Sequence, residues 1–593
     1  MKFSFIQDLE AHLCKEHALE NLDVTWELCP QDYEGEVTIN CFRLAPTLRK
    51  SPEQIAQTVQ EYLEQHPDVE QAICVKAFVN IVITAAPLFQ ETVADETQLL
   101  RDAKLPQEQQ QRILIEFSAP NTNKPQHLGH VRNNALGQAI TSIFRRVGHT
   151  VIPVNLVNDR GIHICQSMIA YQRWGNAATP ESTGRKGDHF VGDFYVMFQQ
   201  EQKRQLEELR EQHPEFKDSP DEDLLLKTEI GQAAQNLLVA WEQGDPDVLR
   251  QWWTMHEWVM QGFEQTYARM GVEFDKVYFE SETFHYGRQL VHEGLEKGLL
   301  EEHSDGAVFC NLEDEKLGHK IVLRKDGTSV YVTQDLGTTL IKQQEYEPDQ
   351  QIWIVGDEQK HHFRVLFAIL RKLGYTWADQ LTHMPYGMID LPSGKMKSRE
   401  GTVVDADELF DEMADLARSE TRKRTEGEDP EDLDQRSEMI GMAAVKFMLL
   451  SAKPTTRLTF DPDKAVRFEG DTGPYVQYAC ARISSILRKA DETVDESAVC
   501  WNTLGTPEEK DLALQCALYG ETLRRAAREQ DTAAITAYLL NLAKSFSRFY
   551  RECSVLNASS PELRQARLAL CARVRTLLTE GLSSLTIEPL ESM

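Results

Sequence analysis

The stretch Phe117–His130 reads FSAPNTNKPQHLGH, and its reading decides the fold. It follows a short β-branched run, Arg112–Glu116 (RILIE), and opens a helical pattern. Leu136, Ile140, Ile143, Phe144 and Val147 recur at helical spacing, and Gly148 stands where a C-terminal cap belongs. The segment is therefore a strand, a polar turn and a helix N-terminus carrying two imidazoles, His127 and His130. A helix N-terminus offers free N–H groups and a positive dipole end, which suit phosphate. Gly129 lets a flat base approach the backbone. The imidazoles can donate to phosphate oxygens whose charge grows during transfer. In isolation, an HxGH tetrapeptide is more often a helix cap with two surface histidines.

Working outward, a second strand-like run, Val151–Val157, follows that helix and gives a β-α-β start. It ends in Asn158-Asp159-Arg160-Gly161, at the edge where parallel sheets bind ligands. Gln199–Asp223 is a long charged helical stretch, read as an insertion on the sheet. Ile321–Leu336, Ile352–Val355 and Met384–Asp390 return to strand-like composition, with a helix over Phe363–Leu373. Lys395–Gly401 reads KMKSREG after a Pro-Ser-Gly turn. Three cations between glycines suit the β- and γ-phosphates of ATP. Residues 1 to about 105 read as a small α+β unit, with strands at Val37–Phe42 and Ala72–Thr84. Ser51-Pro52-Glu53-Gln54 makes a capping box there. After about residue 405 the pattern is helical to the end.

At 593 residues the chain exceeds one core and calls for three or four domains. Met1–Lys15 carries Asp8 and Glu10 and lacks an apolar core, so no signal peptide and no membrane span are expected. Eleven cysteines without a CxxC pair fit a reducing cytoplasm and argue against a zinc ribbon. The net charge of −31 speaks against a nucleic-acid binder unless basic patches are local. Such clusters occur at Arg418–Arg424, Arg482–Lys489, Arg524–Arg528 and Arg564–Arg575. Half of them would be no more than solvated helix faces.

The extended pattern SxPNxxKPxHxGH resembles the HIGH signature of class I aminoacyl-tRNA synthetases, and most of all the arginyl-tRNA synthetases. KMKSREG resembles the KMSKS loop in a degenerate form, with Lys397 where serine is usual and Ser398 where the strict motif has lysine. The resemblance implies that Lys124, just upstream of the HIGH motif, shares the missing lysine's role with Lys395 and Lys397. It implies ATP contacts from His127, Gly129, His130, Lys395, Met396 and Ser398. Asp326–Asp335 (DGTSVYVTQD) and Val355–Gln359 (VGDEQ) resemble the arginine-pocket segments of the family. A guanidinium calls for carboxylates and amide oxygens. By resemblance Tyr331, Asp335 and Gln359 face the side chain, while Glu116 and Asn121 hold the α-amino and carboxyl region.

Gly470–Ile483 (GDTGPYVQYACARI) and the helices after it resemble the family's anticodon-binding bundle, with Tyr475, Tyr478, Tyr550 and Met593 on the anticodon pocket. Aromatics beside arginines stack splayed RNA bases. The expected architecture is multidomain α/β. A small N-terminal α+β domain over 1–105 binds tRNA, and a Rossmann-type core over 106–405 carries an inserted helical segment at about 180–320. An all-α anticodon-binding bundle over 406–593 completes it. The implied reaction joins L-arginine to tRNA(Arg) through an arginyl-adenylate, with ATP and Mg²⁺ bound as substrate and no dedicated metal site, in a cytoplasmic monomer. The family commonly activates arginine only with tRNA bound. The rival readings are a nucleotidyltransferase for another amino acid and a non-catalytic tRNA-binding paralogue.

Overall fold

The computed structural model describes residues 2–30, 32–392, 404–424, 431–491, 494 and 499–592. Lys395, Met396, Lys397, Ser398 and Met593 lie outside the described residues. The N-terminal unit is a four-stranded antiparallel sheet in the order Trp26–Leu28, Val37–Asn40, Phe78–Ile83, Val69–Val75. Ser4–His17 and Pro52–Leu63 are its main helices. The expected capping box forms: Ser51 accepts from the Gln54 N–H at 3.3 Å and Gln54 accepts from that of Ser51 at 3.2 Å. Ala72–Thr84 is not one strand. Lys76, at φ +58°, turns it into a hairpin. A left-handed lysine carries none of the glycine or asparagine signal that marks such turns.

The core is a five-stranded, all-parallel sheet. Its strands are β1 (Arg112–Glu116), β2 (Thr150–Val157), β3 (Lys276–Phe279), β4 (Gln350–Gly356) and β5 (Leu381–Tyr386), in spatial order β5-β4-β1-β2-β3. The chain enters at β1, builds outward through β2 and β3, then returns to the other side of β1 for β4 and β5. The order therefore reverses between β1 and β4. The crevice outside their carboxyl ends is where such sheets bind ligands. The centres of β1 (Ile113–Ile115) and β4 (Ile352–Ile354) are buried on both faces, so each reads as a short unbroken apolar run.

Four helices position the crevice: α1 (Leu128–Arg146), α2 (Gly187–Gln212), α3 (Glu280–Glu296) and α4 (Tyr331–Tyr346). The stretch 180–320 is not wholly helical. It contributes β3 to the main sheet, and 301–323 forms a separate three-stranded antiparallel sheet. Strand-like composition also does not continue through Leu336. The strand ends at Leu323 and α4 starts at Tyr331.

The C-terminal part is helical. Its principal members are α5 (Ala406–Arg424), α6 (Leu433–Leu450), α7 (Gly473–Ala490), α8 (Ala533–Glu552) and α9 (Pro561–Ser584). Arg567 and Arg573, expected in a basic patch, are interior. Arg567 pairs with Glu509 at 2.7 Å, while Arg573 meets Glu96 and donates to the Val93 carbonyl at 2.9 Å. Arg573 thus ties the bundle to the stretch before β1, and Arg567 is spent inside the bundle. No helix among the described residues is long and apolar enough to cross a membrane.

Candidate active site

The turn after β1 is a strained backbone held by a buried polar network. Ser118 and Ala119 both have positive φ, +79° and +49°. The Ser118 N–H donates to Asn133 Oδ1 at 2.6 Å and the Ala119 N–H to Asn155 Oδ1 at 3.0 Å. Asn133 Nδ2 donates onward to the Ile354 carbonyl on β4 at 2.7 Å. Tyr267 OH meets Ser118 Oγ at 2.7 Å. One network thus fixes the turn to α1, β2 and β4 together, and fully satisfied buried networks rigidify.

His127 is the N-cap of α1. Its Nδ1 accepts the Gly129 N–H at 3.1 Å, and Nδ1 of His130 accepts the His127 N–H at 3.1 Å. The rings lie 3.9 Å apart between centroids. A Cβ on residue 129 would stand 2.9 Å from the His127 ring, so Gly129 is needed by the histidine itself as well as by any ligand. Burial, then the neighbouring Lys124, lowers the His127 pKa to about 4. Burial, then His127 and Lys124, holds His130 well below the usual imidazole range. Both rings are neutral near pH 7. With Nδ1 accepting, each carries its proton on Nε2, leaving two N–H donors over the helix N-terminus. Burial also lowers the Lys124 pKa.

Residues flanking the second motif attach to this same turn. The Leu128 N–H donates to the Val404 carbonyl at 3.0 Å and the Ala406 N–H to the Gln126 carbonyl at 3.0 Å.

On the other side of β1, α3 and α4 meet backbone to backbone. A Cβ on Gly287 would lie 1.8 Å from the Thr333 carbonyl oxygen, and one on Gly337 2.5 Å from the Gly287 nitrogen. This approach brings the N-terminal ends of both helices to one cleft of about 250 Å³, lined by Asn121, Arg160, Glu280, Arg324, Tyr331 and Gln334. Asn121 and Tyr331, both expected here, are on its wall, and Tyr331 is 76% exposed. Asp335 lies one turn further along α4, with Oδ2 at 2.5 Å from Nε2 of His362. That bond raises the His362 pKa. Glu116 is buried, and its Oε2 is bound to the ammonium of Lys342, two turns past Asp335. Gln359 is exposed at the carboxyl end of β4, off the cleft wall.

Glu280, at the first position of α3, was not singled out in the sequence, since an acidic first turn is ordinary helix capping. Burial, with Asp335 and Asp159 nearby and despite Arg160, raises its pKa to about 7. Arg160 is itself held 3.9 Å over the ring of Phe284 and paired with Glu242 at 3.1 Å.

A second cleft, of about 770 Å³, opens between α7 and α8, with Tyr478, Arg482, Lys489, Tyr550 and Arg551 on its walls. The Arg482 guanidinium lies 4.5 Å from the centroid of Tyr478 and 5.2 Å from that of Tyr550. Tyr475 faces elsewhere, with its hydroxyl 3.2 Å from Ser547 Oγ.

A nucleotide-type crevice at the reversal point, a histidine-capped helix over it and a separate aromatic cleft in a helical bundle define a class I aminoacyl-tRNA synthetase. Comparison with known families agrees. Residues 95–462 match the class I tRNA synthetase (R) catalytic domain, 476–593 the DALR anticodon-binding domain and 4–83 the arginyl-tRNA synthetase N-terminal domain. Among curated relatives, the arginine–tRNA ligase of Bacteroides thetaiotaomicron is 42% identical over 567 residues, covering 94% of each chain. That of Parabacteroides distasonis is 40% identical over 569 residues, covering 95% of this chain and 94% of its own. The solved Thermus thermophilus arginyl-tRNA synthetase superimposes with a TM-score of 0.78 at 26% identity, covering both chains fully. The Plasmodium falciparum enzyme shares the fold, with a TM-score of 0.73 at 18% identity and full coverage of both chains. The chain belongs to the arginyl-tRNA synthetase family.

Proposed function

We propose that the chain attaches L-arginine to tRNA(Arg) using ATP, and that the neutral imidazole pair of His127 and His130 carries the first step. The arginine carboxylate attacks the α-phosphorus. A carboxylate–phosphorus bond forms, the α–β phosphoanhydride breaks, and pyrophosphate leaves. No side-chain nucleophile is required. The two Nε2–H donors and the α1 N-terminus stabilise the charge that builds on the phosphates. Lys124 acts with Lys395 and Lys397 on the leaving pyrophosphate, while Gly129, Met396 and Ser398 line the ATP site. The 2′-hydroxyl of the terminal adenosine then takes the arginyl group and AMP departs.

Mg²⁺ enters with ATP and supplies charge neutralisation on the triphosphate. The donors at the phosphate face, His127, His130 and Lys124, offer no carboxylate for a resident ion. Among the described residues one cluster has metal-ligand spacing, Asp188, His189 and Asp407. The Lys186 ammonium already occupies it, 3.1 Å from Asp188 and 2.6 Å from Asp407.

Arginine lies in the cleft beside Asn121 and Tyr331, with Asp335 one turn further along α4. Glu280 joins Asp335 as a second carboxylate for the guanidinium, and Glu116 with Lys342 forms the charged floor. Tyr478 and Tyr550 take anticodon bases, assisted by Met593. The working division is 1–105 for an accessory tRNA-binding unit, 106–405 for catalysis with its insertion at about 180–320, and 406–593 for the anticodon. The enzyme works as a monomer in the cytoplasm. Eleven unpaired thiols support a reducing compartment.

The observation that carries this reading is the imidazole pair capping α1 at the reversal point of the sheet. Charging of tRNA with labelled arginine by Asp335→Asn tests it: the arginine KM should rise at least about tenfold, the loss of one charge-assisted hydrogen bond. An unchanged KM would move the pocket elsewhere.

A further inference from the structure

Arg132 stands two residues past His130 on α1 and is fully buried. Among the described residues its guanidinium meets four backbone carbonyls and no carboxylate. Nη1 donates to Gly387 at 2.8 Å and more loosely to Met388 at 3.4 Å, and Nη2 to Pro454 at 3.0 Å and Thr456 at 2.9 Å. Burying a guanidinium without a counter-ion is costly, and an apolar side chain would fill the space with less penalty. What arginine adds is a rigid planar fork that holds several acceptors in fixed relation.

The acceptors belong to two remote segments. Gly387 and Met388 join β5 to the short strand Ile389–Asp390, which leads toward the second signature motif. Pro454 and Thr456 lie between α6 and the short strand Leu458–Thr459, which pairs with Ile389–Asp390. The two segments touch closely, since a Cβ on Gly387 would lie 2.7 Å from the Thr456 carbonyl. On the far flank of the second motif, Val404 and Ala406 bond to Leu128 and Gln126. The first turns of α1 therefore hold both flanks of residues 393–403, one through backbone pairing and the other through Arg132.

We propose that Arg132 is a positioning residue for arginine activation: it keeps the approach to the second phosphate-binding motif, and the entrance to the C-terminal bundle, in register with the imidazole pair. This rests on the reading of His127 and His130 as the phosphate-binding pair. Arg132 touches no substrate. Its effect is transmitted through Gly387 and Met388 on one side and α1 on the other, and it falls on the rate of adenylate formation rather than on arginine binding.

The test compares full-length Arg132→Lys, Gly387→Ala, His127→Ala and Leu539→Ala in ATP–pyrophosphate exchange with tRNA present, alongside thermal midpoints. Leu539 is a buried residue of α8 outside the clamp and controls for lost stability. Arg132→Lys should lower kcat about 10²-fold, the loss expected of a displacement near 1 Å, with the arginine KM within about twofold. Binding of a non-hydrolysable arginyl-adenylate analogue should weaken in parallel. Gly387→Ala, which disturbs the clamp from its acceptor side, should show the same split, and Leu539→Ala should lose thermal stability only. The proposal is overturned if Arg132→Lys keeps kcat within about threefold of the parent while His127→Ala is inactive, or if its loss follows only the unfolded fraction. Full exchange in His127→Ala would instead remove the reading beneath it.

Discussion

Nδ1 of His130 accepts the backbone N–H of His127 at 3.1 Å, so the second histidine, on the first turn of α1, fixes the first, which is the N-cap of that helix. Both rings must be neutral to do this. Burial holds His127 at about 4, below the roughly 6.5 of an unfolded histidine. The unfolded chain therefore binds more protons between those values. The stabilisation is complete above about pH 6.5 and is lost as pH falls toward 4. Buried His256, lowered to about 4, acts in the same direction. Denaturant unfolding from pH 7.5 to 4.5 should show this slope, and His127→Gln should remove part of it while leaving the His256 share.

Glu280 has the opposite shift. With a pKa of about 7 it is half protonated at neutral pH, and guanidinium binding needs the carboxylate. Arginine binding should release a proton, and the arginine KM should rise about tenfold from pH 8 to pH 6. In Glu280→Gln this rise should be absent and the KM high throughout. A Glu280→Gln variant with the parental pH profile would take Glu280 out of the pocket.

Lys342, two turns past Asp335 on α4, pairs with Glu116, and both side chains are nearly inaccessible. Lys342→Met leaves a buried carboxylate without its partner and should cost about 3–5 kcal/mol in denaturant unfolding. Glu116→Gln added to it should recover most of that loss. Arginine activation should not recover, because the charged floor is gone.

In the bundle, the Arg482 guanidinium lies against both Tyr478 and Tyr550, and Tyr550 is 43% exposed, so a base can stack on it. Tyr550→Ala should raise the KM for tRNA by about 5- to 150-fold, the range for one lost stacking contact. The arginine and ATP KM values in exchange should stay at the parental level. Equal effects on all three substrates would mean that the bundle itself had been disturbed.

The residues show why some of this was readable from sequence and some was not. β1, α1 and the Ser51 capping box follow from local pattern, and their boundaries agree with the structure to within a few residues. The histidine pair is legible because it stands in the extended pattern after a strand, whereas HxGH alone reads as a helix cap. The α4 start reads as strand because Tyr331, Val332 and Thr333 favour β structure, yet packing against α3 through Gly287 and Gly337 overrides that preference. Glu116–Lys342 joins residues 226 apart, and neither carries any local sign of the other. Arg132 reads as one more polar residue on a helix, since carbonyl partners leave no mark in a sequence. The alternation in 301–323 was submerged in a region of charged helices.

The central claim is tested most directly by ATP–pyrophosphate exchange with each of the twenty amino acids, with and without tRNA. Exchange with arginine alone, dependent on tRNA and abolished in His127→Ala, is the predicted result. Exchange with a different amino acid, or none under any condition alongside firm tRNA binding, would contradict it.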